Sequence, residues 1–187
     1  MLEVELKAAL AEAQAAALPD RLAALGFLPG PPLRETDVYW NGEVRNFRET
    51  DEALRLRRVE NLQTHAAQAL ITYKGPKRDS RSNTRLEYET SVGSLETARD
   101  LLRALGFRDL FVVDKTRREF SRENISACLD RVDGLGDYLE LEILLEDEAR
   151  RETAVDTLLA LLDQLGIRRD ALRRQSYLEL LIAAATE

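Results

Sequence analysis

The chain sets charge and hydrocarbon on alternate residues, and it does so repeatedly along its length. In Met1-Leu-Glu-Val-Glu-Leu-Lys7, extended backbone sends Leu2, Val4 and Leu6 to one side and Glu3, Glu5 and Lys7 to the other. Ala53-Leu-Arg-Leu-Arg57 sets Arg55 and Arg57 against Leu54 and Leu56, and Thr72-Tyr-Lys74 gives Thr72 and Lys74 a common face. Arg85, Glu87 and Glu89 share a side, as do Lys115 and Arg117. Tyr138, Glu140 and Glu142 do the same, with Leu139, Leu141 and Ile143 opposite. A period of two belongs to strands, so the apolar sides must pack under helices. The charged sides then either meet bulk water on an open antiparallel sheet or line the inside of a closed one. For any single strand, weak cross-strand ion pairs on a solvated face suffice as an explanation. Six strands of long cations and carboxylates, with few of the Ser, Thr, Gln and Asn residues that solvated faces also carry, tilt the reading toward an enclosed interior.

Helical segments fall between groups of these strands, giving an α+β class. An Ala-rich stretch leads through Leu18-Pro19-Asp20 into Arg21-Leu-Ala-Ala-Leu-Gly26, a helix closed by its glycine. Strands are expected near 34 to 41, 52 to 60 and 67 to 74. The breaker-rich, charged stretch from Gly75 to Asn83 reads as a mobile loop. The cycle then repeats: a strand from Arg85, a helix from Leu95 to Leu105, and strands near 110 to 121, 124 to 132 and 137 to 145. Ala104-Leu-Gly-Phe107 echoes Ala24-Leu-Gly-Phe27. This is an internal duplication of strand, helix and three strands. Closing helices are expected at Leu158 to Gly166 and Ala171 to Ala185, the last as a plug or lid. Two halves of this kind can close one barrel, and 187 residues suit a single domain over 1–187.

With 34 acidic and 27 basic residues the net charge is −7, which argues against a nucleic-acid binder held by general positive charge. The lone Cys128 excludes an intrachain disulfide, and the lone His65 excludes a His-rich metal site. There is no run of eighteen apolar residues and no basic start followed by an apolar core, and Glu3 lies too near the start for a presequence. The expected location is cytoplasmic, away from any membrane.

Cations gathered in a confined space require an anion, and phosphate oxygens suit arginine bidentately and lysine as a point charge. Carboxylates in the same space require a divalent metal, and hard oxygen ligands such as Glu3, Glu5, Glu140 and Glu142 suit magnesium or manganese. The implied ligand is a polyphosphate with its metal.

The ordered set Glu-x-Glu-x-Lys at 3 to 7, Leu-Arg-Leu-Arg at 54 to 57, Thr-Tyr-Lys-Gly at 72 to 75, Arg-x-Glu-x-Glu at 85 to 89, Lys-x-Arg at 115 to 117 and Leu-Glu-Leu-Glu at 139 to 142 resembles the CYTH family. That family joins class IV adenylate cyclases, thiamine triphosphatases and inorganic triphosphatases, also called triphosphate tunnel metalloenzymes. The likeness runs from Glu3 to the Ser176-Tyr-Leu-Glu-Leu-Leu181 tail, and it is greatest to the class IV cyclase branch. It implies a closed eight-stranded antiparallel β-barrel with helices packed outside. Within it, a substrate triphosphate would lie among Lys7, Arg55, Arg57, Lys74, Arg85, Lys115 and Arg117. Mg²⁺ or Mn²⁺ would sit on Glu3, Glu5, Glu140 and Glu142. Glu87 and Glu89 would hold a second ion or orient the basic side chains, and Asp130 would face the same wall. By likeness to thiamine triphosphatases, Tyr39 and Lys74 activate water, Lys74 as a base whose pKa is lowered by surrounding cations.

The expected function is metal-dependent hydrolysis of tripolyphosphate, ATP or thiamine triphosphate. Class IV cyclisation of ATP to cyclic AMP and pyrophosphate stands second, because Pro32-Leu-Arg-Glu-Thr-Asp37 lacks that class's histidine-aromatic signature. A polyphosphate sensor without turnover stands third. A homodimer is left open as the assembly. His65 reads as a turn residue, Cys128 as strand packing and Trp40 as an anchor for a neighbouring helix. Arg168, Arg169, Arg173 and Arg174 read as a solvated helix face near a tunnel mouth.

Overall fold

The computed structural model describes residues 1–185; the last two residues of the expected domain lie outside the described ones. Eight strands carry the fold: β1 Leu2–Leu10, β2 Leu28–Gly42, β3 Ala53–Asn61, β4 Ala67–Lys74, β5 Arg85–Val92, β6 Phe107–Arg122, β7 Ile125–Val132 and β8 Gly136–Leu145. Four helices accompany them: α1 Glu12–Ala24, α2 Leu95–Ala104, α3 Arg151–Gln164 and α4 Tyr177–Ala184. The strands close into one barrel in the order β1-β5-β4-β3-β2-β6-β7-β8. Every pairing is antiparallel.

The expected duplication is present as two cycles, β1-α1-β2-β3-β4 and β5-α2-β6-β7-β8. Each first strand pairs with the last strand of the other cycle, β1 with β8 and β5 with β4, so neither half closes alone. Both helices end two residues before a glycine in the left-handed region, Gly26 at φ 82° and Gly106 at φ 86°, which explains the repeated Leu-Gly-Phe.

The two larger hydrophobic clusters lie outside the barrel, while a smaller one of Tyr39, Val113, Val132, Tyr138 and Tyr177 lies at the tunnel end. Leu2, Val4, Leu6 and Ala8 of β1 and Leu139, Leu141 and Ile143 of β8 pack against Leu18 and Leu22 of α1 and Val155, Leu158 and Leu162 of α3. Val38, Trp40, Leu54 and Leu56 pack against Ala98 and Leu102 of α2, so Trp40 anchors a helix. At roughly 1.5–3 kcal/mol per fully buried large apolar side chain, these outer layers stabilise the fold and leave the interior free for charge.

Several boundaries differ from the expectations. Helix α1 starts at Glu12 and runs through Pro19; burial of Leu18 and Leu22 on either side offsets the lost backbone bond. Strand β2 begins at Leu28, and the prolines that hid its start sit at a register shift between Pro29 and Pro32. Helix α3 begins at Arg151 instead of Leu158, directly after a 3-10 turn at Glu148–Arg150. The last helix begins at Tyr177, not Ala171, under a capping box of Ser176 and Glu179. Residues before it are extended because they pair with the edge of β1, through the Ala8–Leu172 bridge and the Arg173 N–H on the Lys7 carbonyl at 2.8 Å. The stretch expected to be mobile is tied down: Ser82, Asn83 and Thr84 are buried, and Lys77 binds Asp51 at 2.7 Å. His65 is a turn residue at φ 59°. Cys128 is buried and faces inward, opposite Glu140. No helix among the described residues is long and apolar enough to cross a membrane.

Candidate active site

Closure resolves the choice left by the alternation: the charged faces converge on one interior cavity of about 620 Å³. Glu3, Glu5, Lys7, Tyr39, Arg55, Arg57, Lys74, Arg85, Glu87, Glu89, Lys115, Arg117, Glu140 and Glu142 all line it. Asp130 lies behind the lining, beneath Lys115 and Arg117.

Strand register decides which charges meet. Asp37 stands opposite Arg57, Glu35 opposite Lys115, Arg117 opposite Asp130, Lys74 opposite Glu87 and Lys7 opposite Glu140. On the wall built from β2, β3, β6 and β7, each of the four cations finds a carboxylate. Arg57 grips Asp37 with two bonds of 2.6 and 2.7 Å and reaches Glu35 at 3.0 Å. Lys115 bridges Asp130 at 2.9 Å and Glu35 at 3.2 Å, while Arg117 grips Asp130 and contacts Glu140. Burial opposes ionisation of Glu35 and Asp37, but the neighbouring cations outweigh it and hold both carboxyls below their ordinary range.

The β1–β8 seam is different. Its register sets Glu5 directly opposite Glu142, like charge against like. Lys7 turns to Glu5 and Glu140, both at 3.2 Å, and Lys74 to Glu3 at 2.6 Å and Glu87 at 2.9 Å. Glu142 makes no ion pair or hydrogen bond among the described residues. Burial, with Glu5 and Glu87 adding repulsion, pushes its carboxyl up to about 7. Burial likewise raises Glu3 well above its ordinary value against the pull of Lys74, with Glu87, Glu5 and Glu142 adding repulsion.

Lys74 departs from expectation. Burial and the nearby Arg55 press its pKa down, but its ion-pair partners are the carboxylates of Glu3 and Glu87, and the net shift is upward. It is therefore held as an ammonium and is not poised as a base. No hydrogen bond joins it to Tyr39 among the described residues; Tyr39 packs with Val113, Val132, Tyr138 and Tyr177.

The four expected metal carboxylates do not form a ready-made cage. Among the described residues no group of three or more His, Cys, Asp or Glu side chains has metal-holding geometry; the Lys7 ammonium lies between Glu5 and Glu140, and Lys74 engages Glu3. The chemistry of the set nevertheless fits a divalent cation. Two opposed glutamates, one of them unpaired and resisting ionisation, are oxygen donors that a hard cation would neutralise.

Four functional side chains escaped the sequence reading. Glu35 and Asp37 anchor the basic wall, yet β2 carries polar Arg34 and Thr36 on its other face, so alternation does not single them out. Tyr177 of α4 donates its hydroxyl to Asp130 at 3.0 Å, and the Lys7 and Lys115 ammonium groups sit 4.6 and 5.1 Å from its ring centre. Helix α4 thus plugs one end of the tunnel. Asn83 donates to Glu5 at 3.0 Å from the loop that precedes β5. Of the C-terminal arginines only Arg174 lines the cavity, while Arg168 and Arg169 pair with Asp170 and Asp163 in solvent.

The family model described as CYTH domain matches residues 1–177. "Putative adenylate cyclase MJ0240" of Methanocaldococcus jannaschii is 37% identical over 180 residues, covering 96% of this chain and 98% of that protein. The solved structure of PH1819 from Pyrococcus horikoshii OT3 superposes with a TM-score of 0.87 at 34% identity, covering 97% of this chain and 98% of its own. HpAC1 from Hippeastrum, a protein reported with a dominant triphosphatase activity, shares the fold at 16% identity and a TM-score of 0.66, covering 100% of this chain and 96% of its own. A tunnel of this lining, matched along nearly its whole length, identifies the chain as a member of the CYTH domain family.

Proposed function

We propose that this protein is a divalent-metal-dependent enzyme that hydrolyses a triphosphate inside its tunnel. The observation that carries the reading is the convergence of Lys7, Arg55, Arg57, Lys74, Arg85, Lys115 and Arg117 on one cavity whose remaining wall opposes Glu5 to Glu142. In this reading Arg55, Arg57, Lys115 and Arg117, already fixed by Asp37, Glu35 and Asp130, bind the phosphate chain without rearrangement. Lys7, Lys74 and Arg85 complete the clamp from the other side. Glu5 and Glu142, with Glu3 and Glu140, hold Mg²⁺ or Mn²⁺, which when bound neutralises phosphate charge and orients the chain. Tyr39 orients a water whose oxygen attacks the terminal phosphorus as the bridging P–O bond breaks. Orthophosphate and a diphosphate or organic diphosphate leave.

A second reading follows from the name of the 37%-identical relative: attack by a ribose 3′-oxygen on the α-phosphorus of ATP, releasing pyrophosphate and forming cyclic AMP. One assay separates the two. The full chain is incubated with tripolyphosphate, ATP or thiamine triphosphate and each metal, and the products are resolved. Metal-dependent orthophosphate release, lost in Glu142→Gln, is the expected result; cyclic AMP as the main product of ATP favours the second reading. Tight binding of every triphosphate without turnover under either metal overturns both in favour of a sensor.

A further inference from the structure

Asn83 sits in a breaker-rich loop, yet it is 94% buried because its backbone N–H pairs with the Glu5 carbonyl at 2.9 Å and extends the edge of β1. Its side-chain amide meets two acceptors, the Glu5 carboxylate oxygen Oε1 at 3.0 Å and the Arg173 carbonyl at 3.5 Å. Only the NH2 end of the amide can satisfy two acceptors, so the orientation of the group is fixed by its partners. The side chain lines the cavity, and its carbonyl oxygen Oδ1 is left buried and without a hydrogen-bond donor among the described residues. An acceptor stranded in this way is normally matched by a donor or a cation.

Its position says which. Glu5 stands between Glu142 on the β8 side, through strand register, and Asn83 on the other, through both of the bonds above. Three oxygen-bearing side chains therefore follow one another across the wall, from Glu142, which has no ion-pair partner among the described residues, through Glu5, which shares Lys7, to Asn83. Neutral amide oxygens are ordinary ligands, direct or through water, for hard divalent ions.

We propose that Asn83 is part of the divalent-cation site: its Oδ1 contacts the ion or the ion's bound water, while its NH2 fixes Glu5 for the same ion. The inference rests on the metal reading of Glu5 and Glu142 given above. A purely structural Asn83 would do no more than clamp the loop to β1.

The test is titration of the full chain with Mn²⁺, read as loss of the free-ion electron paramagnetic resonance signal, together with thermal melting of the metal-free protein. Wild type binds and Glu142→Gln binds weakly or not at all; if wild type does not bind, or Glu142→Gln binds like it, the metal reading fails and takes this inference with it. Given that binding, Asn83→Ala weakens Mn²⁺ affinity about tenfold, the scale on which residues supporting a metal site act. Asn83→Asp, which keeps an oxygen and loses the donor, binds at least as tightly as wild type. Affinity within twofold of wild type in Asn83→Ala overturns the proposal. So does affinity in Asn83→Asp below that of wild type, which would assign Asn83 only the donor bond to Glu5. Should Asn83→Ala fail to fold, Asn83→Asp alone decides.

Discussion

Two walls of the same barrel treat charge in opposite ways. The wall of β2, β3, β6 and β7 is neutral within itself, with Arg55, Arg57, Lys115 and Arg117 set against Glu35, Asp37, Glu119 and Asp130: Asp37 and Asp130 each hold two cations and Glu35 three, and those cations are fixed before any ligand arrives. The β1–β8 seam is not neutral, because Glu5 opposes Glu142 and Glu142 has no cation of its own. In the proposed reading the first wall is an anion cradle and the second a deficit that a divalent metal would fill. Internal duplication makes the contrast sharper, since β4 and β8 occupy matching places in the two cycles, yet β4 presents Thr72 and Lys74 where β8 presents Glu140 and Glu142.

The largest effect that separates the walls is on stability without metal. Asp37→Ala strands Arg57 and Arg55 in the interior and is expected to destabilise the fold by about 3–5 kcal/mol in chemical denaturation. Glu142→Gln removes a repulsion and leaves the metal-free fold as stable as wild type or more so. Equal losses in the two variants would erase the distinction.

A smaller effect lies in pH. The Glu142 carboxyl titrates near 7 in the fold and in the ordinary carboxylate range when unfolded, so its stabilising protonated state is fully present below that range. Stability of the metal-free protein should therefore fall as pH rises from about 5 to 8, by on the order of 2–3 kcal/mol. Millimolar Mg²⁺ should remove the fall, and Glu142→Gln should shrink it to the part that the raised Glu3 carboxyl contributes. The neutral wall acts in the other direction and lower down: the depressed carboxyls of Asp37 and Glu35 lose their contribution only as pH drops below the carboxylate range. Denaturation midpoints measured across pH, with and without Mg²⁺, check both signs.

Tyr177→Phe keeps the ring under Lys7 and Lys115 and removes only the hydroxyl bond to Asp130. A loss of about 1 kcal/mol is expected by denaturation, with Mn²⁺ affinity unchanged, since Asp130 belongs to the neutral wall. Smallest of all, Arg169→Ala breaks a solvent-exposed pair with Asp163 and should leave both the denaturation midpoint and the Mn²⁺ affinity unmoved.

Alternation was enough to read the sidedness of the strands, because a period of two survives in the sequence of Glu3 to Lys7 and of Tyr138 to Glu142 without knowledge of any partner. It says nothing of neighbours across the sheet. That is why Lys74 was expected among cations and lies among Glu3 and Glu87: register, set by how the two cycles exchange β1 and β5, determines the company a side chain keeps. Asn83 and Tyr177 were illegible for a related reason. Each reaches the tunnel from outside the strand pattern, one through a loop that hydrogen bonds tie to β1, the other at the start of a helix whose Ser176 and Glu179 cap marks where it begins but not what it packs over. On β2, polar residues on both faces concealed Glu35 and Asp37, and three prolines concealed the start of the strand.

The central claim is that one tunnel divides into a neutral cradle for phosphate and an acidic seam for metal. Anomalous diffraction from crystals grown with Mn²⁺ and a non-hydrolysable triphosphate analogue tests it most directly. Manganese between Glu5 and Glu142, with the phosphate chain on Arg55, Arg57, Lys115 and Arg117, is the predicted result. Manganese on surface carboxylates, or phosphates seated away from those four cations, would contradict it.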